Sequence, residues 1–252
     1  MRYLAIAMVV AAALATVFTA WTPAGLSPGE LASQLAAALE LRSVNDALGS
    51  AGTSEEAEEL SIGIVVGHAG PHPDTGYVDP GATCPDGLTE LQVNQEVGKQ
   101  VQRALEAAGL HVDLMDEWDD RLYGYRAVVL VSIHADACLQ INDQATGYKI
   151  TAAVDTAVQD KAQRLVACMV DRYGRATGLR HHPGSITRDM TEYHTFNEIH
   201  SQTPAVVIEV GFLYLDRDLL TKDPGKVARG IAEGILCYVN NEPANLTRED
   251  QP

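Results

Sequence analysis

Basic residues are scarce in this chain: 18 lysines and arginines stand against 34 aspartates and glutamates, a net charge of −16. Partners held by basic patches, nucleic acid and the anionic face of a membrane, are thereby argued against. Long-range attraction to an acidic polymer is missing too, so a substrate of that kind has to be captured locally. Cysteine is sparse, with four residues, and no Cys-x-x-Cys pair occurs, which speaks against a zinc site built on thiolates. No segment repeats along the chain. What is present is a globular composition, 46% apolar and 21% charged over 252 residues, enough for one sizeable core and one catalytic domain.

Charge is absent from Tyr3 to Trp21, an apolar stretch that follows Arg2. Its length suits a signal peptide and nearly suits a membrane span. Residues 1–24 are therefore expected to be a signal peptide or membrane anchor, with the uncleaved anchor favoured and the rest of the chain outside the cytoplasm. Residues 25–60 are expected to form a stalk: a short helix from Ser27-Pro28-Gly29-Glu30, then an acidic linker around Gly49 to Glu56. The catalytic domain is expected over 61–241 and a polar tail over 242–252.

From Leu60 the pattern is α/β. Ile62 to Val66, His111 to Met115, Ala127 to Ile133, Tyr148 to Val154 and Ala205 to Val210 read as strands. Helices alternate with them. The first is capped by Thr89 with Gln92 three residues on, and Gly109 ends it. The second is capped by Asp155 or Thr156, and the last starts at Asp223-Pro224. The expected fold class is a single α/β domain with a twisted, mainly parallel (mixed) sheet and helices on both faces.

Sites in such sheets form beyond the carboxyl ends of strands. His68 and His134 each follow an apolar run, Glu90 opens the first helix, and Glu209 emerges from a buried strand. Two imidazoles and one carboxylate leave a position open on zinc, and a second carboxylate can activate water there. Singly, each has a plainer reading: a turn histidine at 68, a strand-end histidine at 134, a helix-dipole carboxylate at 90. Glu209 inside Val-Val-Ile-Glu-Val-Gly-Phe is costly to bury without a partner, so function is favoured. Of the other histidines, His72 reads as a loop residue and His111 as structural. His181 and His182 are candidates near the cleft, and His194 and His200 flank a segment before the last strand. Cys84 precedes Glu90 and Cys138 follows His134, so a shared metal would bring these two cysteines together. Cys168 and Cys237 lie in the two later helices and could pair there; three full pairings are open, and disulfides fit an exported protein.

Four segments in order resemble the zinc-dependent N-acetylmuramoyl-L-alanine amidases, bacterial cell-wall enzymes of the amidase-3 type. They are Gly67-His68-Ala69-Gly70, Gly87-Leu88-Thr89-Glu90 with Asn94 after it, Ser132 to Ala137, and Pro204 to Leu213. The resemblance spans about Ile62 to Tyr238. It implies zinc (Zn2+) held by His68, Glu90 and His134, with Glu209 as the catalytic carboxylate. It implies peptidoglycan as substrate, cut between N-acetylmuramic acid and the L-alanine of the stem peptide. Departures from the family pattern are Val65-Val66 before the glycine, Ala69 for a glycine, and Tyr214-Leu215 for Ser-Asn; they bear on substrate fit more than on metal binding. The alternatives are an inactive peptidoglycan-binding or regulatory module and a zinc peptidase of wall peptides.

Overall fold

The computed structural model describes residues 61–246. The expected anchor, stalk and linker, and residues 247–252 of the expected tail, lie outside the described residues. Five strands are formed, β1 (Ile62–Val66), β2 (Val112–Asp116), β3 (Val129–Asp136), β4 (Lys149–Ala152) and β5 (Ala205–Phe212). They make one sheet in the order β2-β1-β3-β5-β4, parallel except where β4 runs against β5. The helices are α1 (Glu90–Ala107), α2 (Gln159–Thr177), α3 (Arg188–Thr191), α4 (Thr195–Glu198), α5 (Arg217–Lys222) and α6 (Pro224–Val239).

Helices cover both faces, unequally. Val97 of α1, Leu165 of α2 and Ile231 of α6 join Ile64, Val131 and Ile208 in the large core on one face. The other face is covered more thinly, by Leu122, by Met190 of α3 and by Phe196 of α4, against Val65, Leu130 and Val207. The strand period of two decides which residue goes where. On β3, Val129, Val131 and Ile133 enter the large core, so Ser132 and His134 point to the thin face with Leu130. On β5, Ile208 and Val210 enter the large core, and Glu209 falls on the thin face.

Local chemistry sets the helix ends. Thr89 Oγ1 accepts from Gln92 N at 3.2 Å while Gln92 Oε1 accepts from Thr89 N at 3.1 Å, the capping box expected for α1. Beyond its end, Gly109 takes φ +86°. The start of α2 differs from expectation: its cap is Val158 without a side-chain bond, and Thr156 Oγ1 accepts from Val158 N at 3.3 Å. Thr156 thus closes a turn before the helix instead of capping it. The strand expected over Tyr148 to Val154 is the shorter β4, because only Lys149 to Ala152 find partners on β5. The β3 ladder runs on to Asp136, so His134 lies within its strand and not after it.

Both disulfides are formed, Cys84–Cys138 with Cα atoms 5.2 Å apart and Cys168–Cys237 at 5.7 Å. The second lies where α6 approaches α2 closely. A Cβ at Gly234 would sit 2.9 Å from Met169 Cα, so only glycine permits that approach.

Candidate metal centre

The chain runs from β1 to β2 on one side and then returns to place β3 on the other side of β1. That reversal opens a crevice at the carboxyl ends of β1 and β3. His68 stands just past β1, and His134 lies near the end of β3. Glu90, on the first turn of α1, reaches in from above β1.

His68 Nε2 and His134 Nδ1 both lie 3.2 Å from Glu90 Oε1. One ligand atom from each of the three residues falls within 4.8 Å of the others. Ligands about 2.0–2.2 Å from a tetrahedral zinc stand roughly 3.3–3.6 Å apart, so the two closest separations here suit one small cation. The donor set, two imidazoles and a carboxylate, is also that of a zinc site with an open position. Glycine makes the approach possible: a Cβ at Gly67 would lie 2.4 Å from the His134 ring, and one at Gly81 would lie 2.6 Å from Glu90 Oε2.

Two of the three, His68 and Glu90, are held by further groups. Asp79 Oδ2 is 3.3 Å from the second nitrogen of His68. Glu90 Oε1 accepts from Ala135 N at 3.0 Å, and its Oε2 from Ala82 N at 3.1 Å. Asn94 Nδ2 donates to Gly67 O at 3.2 Å, tying α1 to the turn that carries His68. Burial by itself would lower the His68 pKa, but the bond to Glu90 and the charges of Glu90, Glu117 and Asp79 raise it to about 9. Burial opposes the ionised form of Glu90, and its bonds to His134 and His68 override that and hold it well below the carboxylate range. The same convergence that favours protons here favours a cation, whose binding displaces them.

His68 takes φ +66°, a left-handed backbone conformation that costs a non-glycine residue about 1–3 kcal/mol. Its N–H donates to Glu117 Oε2 at 2.5 Å. Glu117 is buried, and its Oε1 accepts from Tyr193 Oη at 2.9 Å and lies 3.1 Å from His194 Nε2. His194 in turn stacks on Trp118 with centroids 4.2 Å apart. Sequence reasoning missed Glu117, although it follows β2 as His68 follows β1, and the strand-end rule points to both. Asp79 was missed as well; its signal was the Pro-Gly turn after it.

Glu209 pairs with His134 across β3 and β5. Its Oε2 is buried with no hydrogen-bond partner. Burial, with the charges of Glu90 and Asp136 behind it, raises the carboxyl to about 7 against the opposing pull of His134. The structure thus brings together all four residues singled out in the sequence. Of the remaining histidines, His194 reaches the site through Glu117, while His72 stays in its loop with its ring edge on Trp118. His181 is buried against Tyr148, and His182 lies beside Phe212. His200 sits near the start of β5, at the opposite end of the sheet, and His111 is exposed ahead of β2.

A family model described as N-acetylmuramoyl-L-alanine amidase matches residues 62–237. Among solved structures, the amidase Ami1 from Mycobacterium smegmatis superposes with a TM-score of 0.55 at 17% identity, covering 74% of this chain and 99% of that one. The amidase AmiC2 of Nostoc punctiforme gives 0.54 at 22% identity, covering 72% and 98%. The CwlD amidase from Clostridioides difficile, solved in complex with the GerS lipoprotein, gives 0.55 at 20% identity, covering 72% and 99%. At these identities the structural likeness is one of fold. No curated protein matches the chain significantly.

Proposed function

This chain belongs to the N-acetylmuramoyl-L-alanine amidase family, and from that premise we propose that His68, Glu90 and His134 hold a zinc ion beside which Glu209 is the catalytic carboxylate. The reaction of the family is hydrolysis of the amide joining N-acetylmuramic acid to the L-alanine of the peptidoglycan stem peptide. The observation that carries the assignment of residues is the convergence of three ligand atoms within 4.8 Å, with a hydrogen-bond-free carboxylate oxygen on the neighbouring strand.

Zinc in such a donor set supplies Lewis acidity, polarising a carbonyl and acidifying water. The protein's own part is positional. Asp79 and Glu117 fix the ring and backbone of His68, and Ala135 and Ala82 fix the carboxylate of Glu90. Glu209 Oε2 takes a proton from water as the water oxygen joins the carbonyl carbon. It returns that proton to nitrogen as the C–N bond breaks. A carboxyl near 7 is suited to both halves of that transfer at neutral pH.

We further propose that the domain works outside the cytoplasm, delivered by the apolar segment 3–21 as leader or anchor. Two disulfides support an oxidising compartment. Among the described residues no helix is long and apolar enough to cross a membrane.

The test is incubation of the purified protein with peptidoglycan, with and without a zinc chelator, and identification of the fragments by mass. Chelator-sensitive release of whole stem peptides with a free N-terminal L-alanine is expected. Shorter peptides would point to a peptidase, and no release from a zinc-free protein to a binding module. Glu209→Gln should keep zinc and lose on the order of 10²–10⁴ in turnover; unchanged turnover would remove its role.

A further inference from the structure

Three strands pair so that Lys149 on β4, Glu209 on β5 and His134 on β3 form one row. Residues directly opposite on neighbouring strands leave the same face of a sheet, and this is the thin face that carries the candidate metal centre. Lys149 is only 5% exposed, a place lysine rarely takes unless paired. Its Nζ ion-pairs with Asp136 of β3. Strands β3 and β4 are not neighbours, because β5 runs between them. The pair therefore spans two strand spacings, about 9–10 Å. The ammonium hangs over β5, 5.1 Å from the centre of the Phe212 ring and a few residues from Glu209. A long flexible stem with a compact charge is what such a span needs.

One buried cation thus pairs with Asp136 and shares a ladder position with Glu209. The positive charge of Lys149 favours the ionised form of Glu209. The ammonium bonds Asp136, and Glu209, opposite Lys149 in the ladder, feels its charge without a direct bond to it. Stability alone is weak ground for this arrangement, since a buried ion pair is often no more stabilising than apolar residues of the same volume.

We propose that Lys149 is a positioning residue for the hydrolysis: strapped over β5 to Asp136, its ammonium is the fixed positive charge against which the Glu209 carboxylate is aligned. The proposal rests on the reading of Glu209 as the catalytic carboxylate. It is tested by measuring kcat, KM and bound zinc for the full chain and for Lys149→Met, Lys149→Arg, Asp136→Asn with Lys149→Met, and Glu209→Gln. Lys149→Met should lower kcat about 10–100-fold, the usual effect of losing a supporting partner, with KM and zinc content unchanged. Lys149→Arg should recover much of the loss, and the double variant should stay as slow as Lys149→Met. A double variant restored to wild-type kcat would overturn the proposal, because Lys149 would then serve only to neutralise Asp136. Full kcat in Lys149→Met beside an inactive Glu209→Gln would overturn it while leaving the role of Glu209 standing. An active Glu209→Gln would overturn both. The double variant leaves no unpaired carboxylate at position 136, so it carries the same comparison should Lys149→Met fail to fold.

Discussion

Glu117 holds a histidine in a backbone conformation that histidine does not choose. It accepts from the His68 N–H, from Tyr193 and from His194, so one buried carboxylate joins the ends of β1 and β2 to the segment before β5. Glu117→Gln removes the charge and presents an amide N–H where an acceptor is required. Zinc affinity should fall about 10–100-fold, and stability by about 1–3 kcal/mol from the mismatched buried donor. Competition with a chelator and thermal melting measure the two. At this scale the candidate ligands were legible because His68 and His134 follow apolar runs and Glu90 opens a capped helix. Glu117, Tyr193 and Lys149 were not, because their roles come from contacts between segments far apart in sequence. Lys149 reads in sequence as a polar residue at a strand start, and only the pairing register sets it opposite Glu209.

Among the elements, the loop from Gly81 to Thr89 does the most for the site. Glu90 N donates to Ala82 O at 2.8 Å, and the Cys84–Cys138 disulfide links this loop to the segment after β3. The two disulfides close separations of 54 and 69 residues. In the chain-entropy model each stabilises by at most about 4 kcal/mol. Their effects on the site should differ. Replacing Cys84 and Cys138 with serine should lower both the melting temperature and zinc affinity, the latter by at least about tenfold, as for other supports of a metal site. Replacing Cys168 and Cys237 should lower the melting temperature and leave zinc affinity unchanged, since that bridge joins α2 to α6 away from the crevice. Equal zinc affinities in the two double variants would refute the distinction. The α1 capping box was legible because Thr89 and Gln92 have the spacing that the bond pattern needs. The start of α2 was not, because Thr156 offers its hydroxyl equally to a turn and to a cap.

For the whole molecule, fold class followed from alternation of apolar runs and amphipathic helices, including one antiparallel member. The unequal cover of the two faces did not, because the pieces on the thin face are too short to show a helical period. The net charge of −16 bears on how the enzyme meets its polymer. Like charges repel over about 10 Å at 0.1 M salt and over about 30 Å at 0.01 M. Initial rates on intact, carboxylate-bearing peptidoglycan should therefore rise as salt increases from 0.01 M toward 0.15 M, on the order of severalfold. Rates on a small uncharged muramyl amide should stay flat, and a matching rise there would assign the effect to the catalytic step. The bridge between Cys84 and Cys138 gives the molecule a sense of address. It ties the loop that leads into Glu90 to the segment that follows His134, and such a tie closes only where thiols oxidise, so under the proposed export the last stitch of the candidate metal centre is made outside the cytoplasm. On that proposal, an enzyme that cuts the wall is left unfinished until it has reached the wall's side of the membrane.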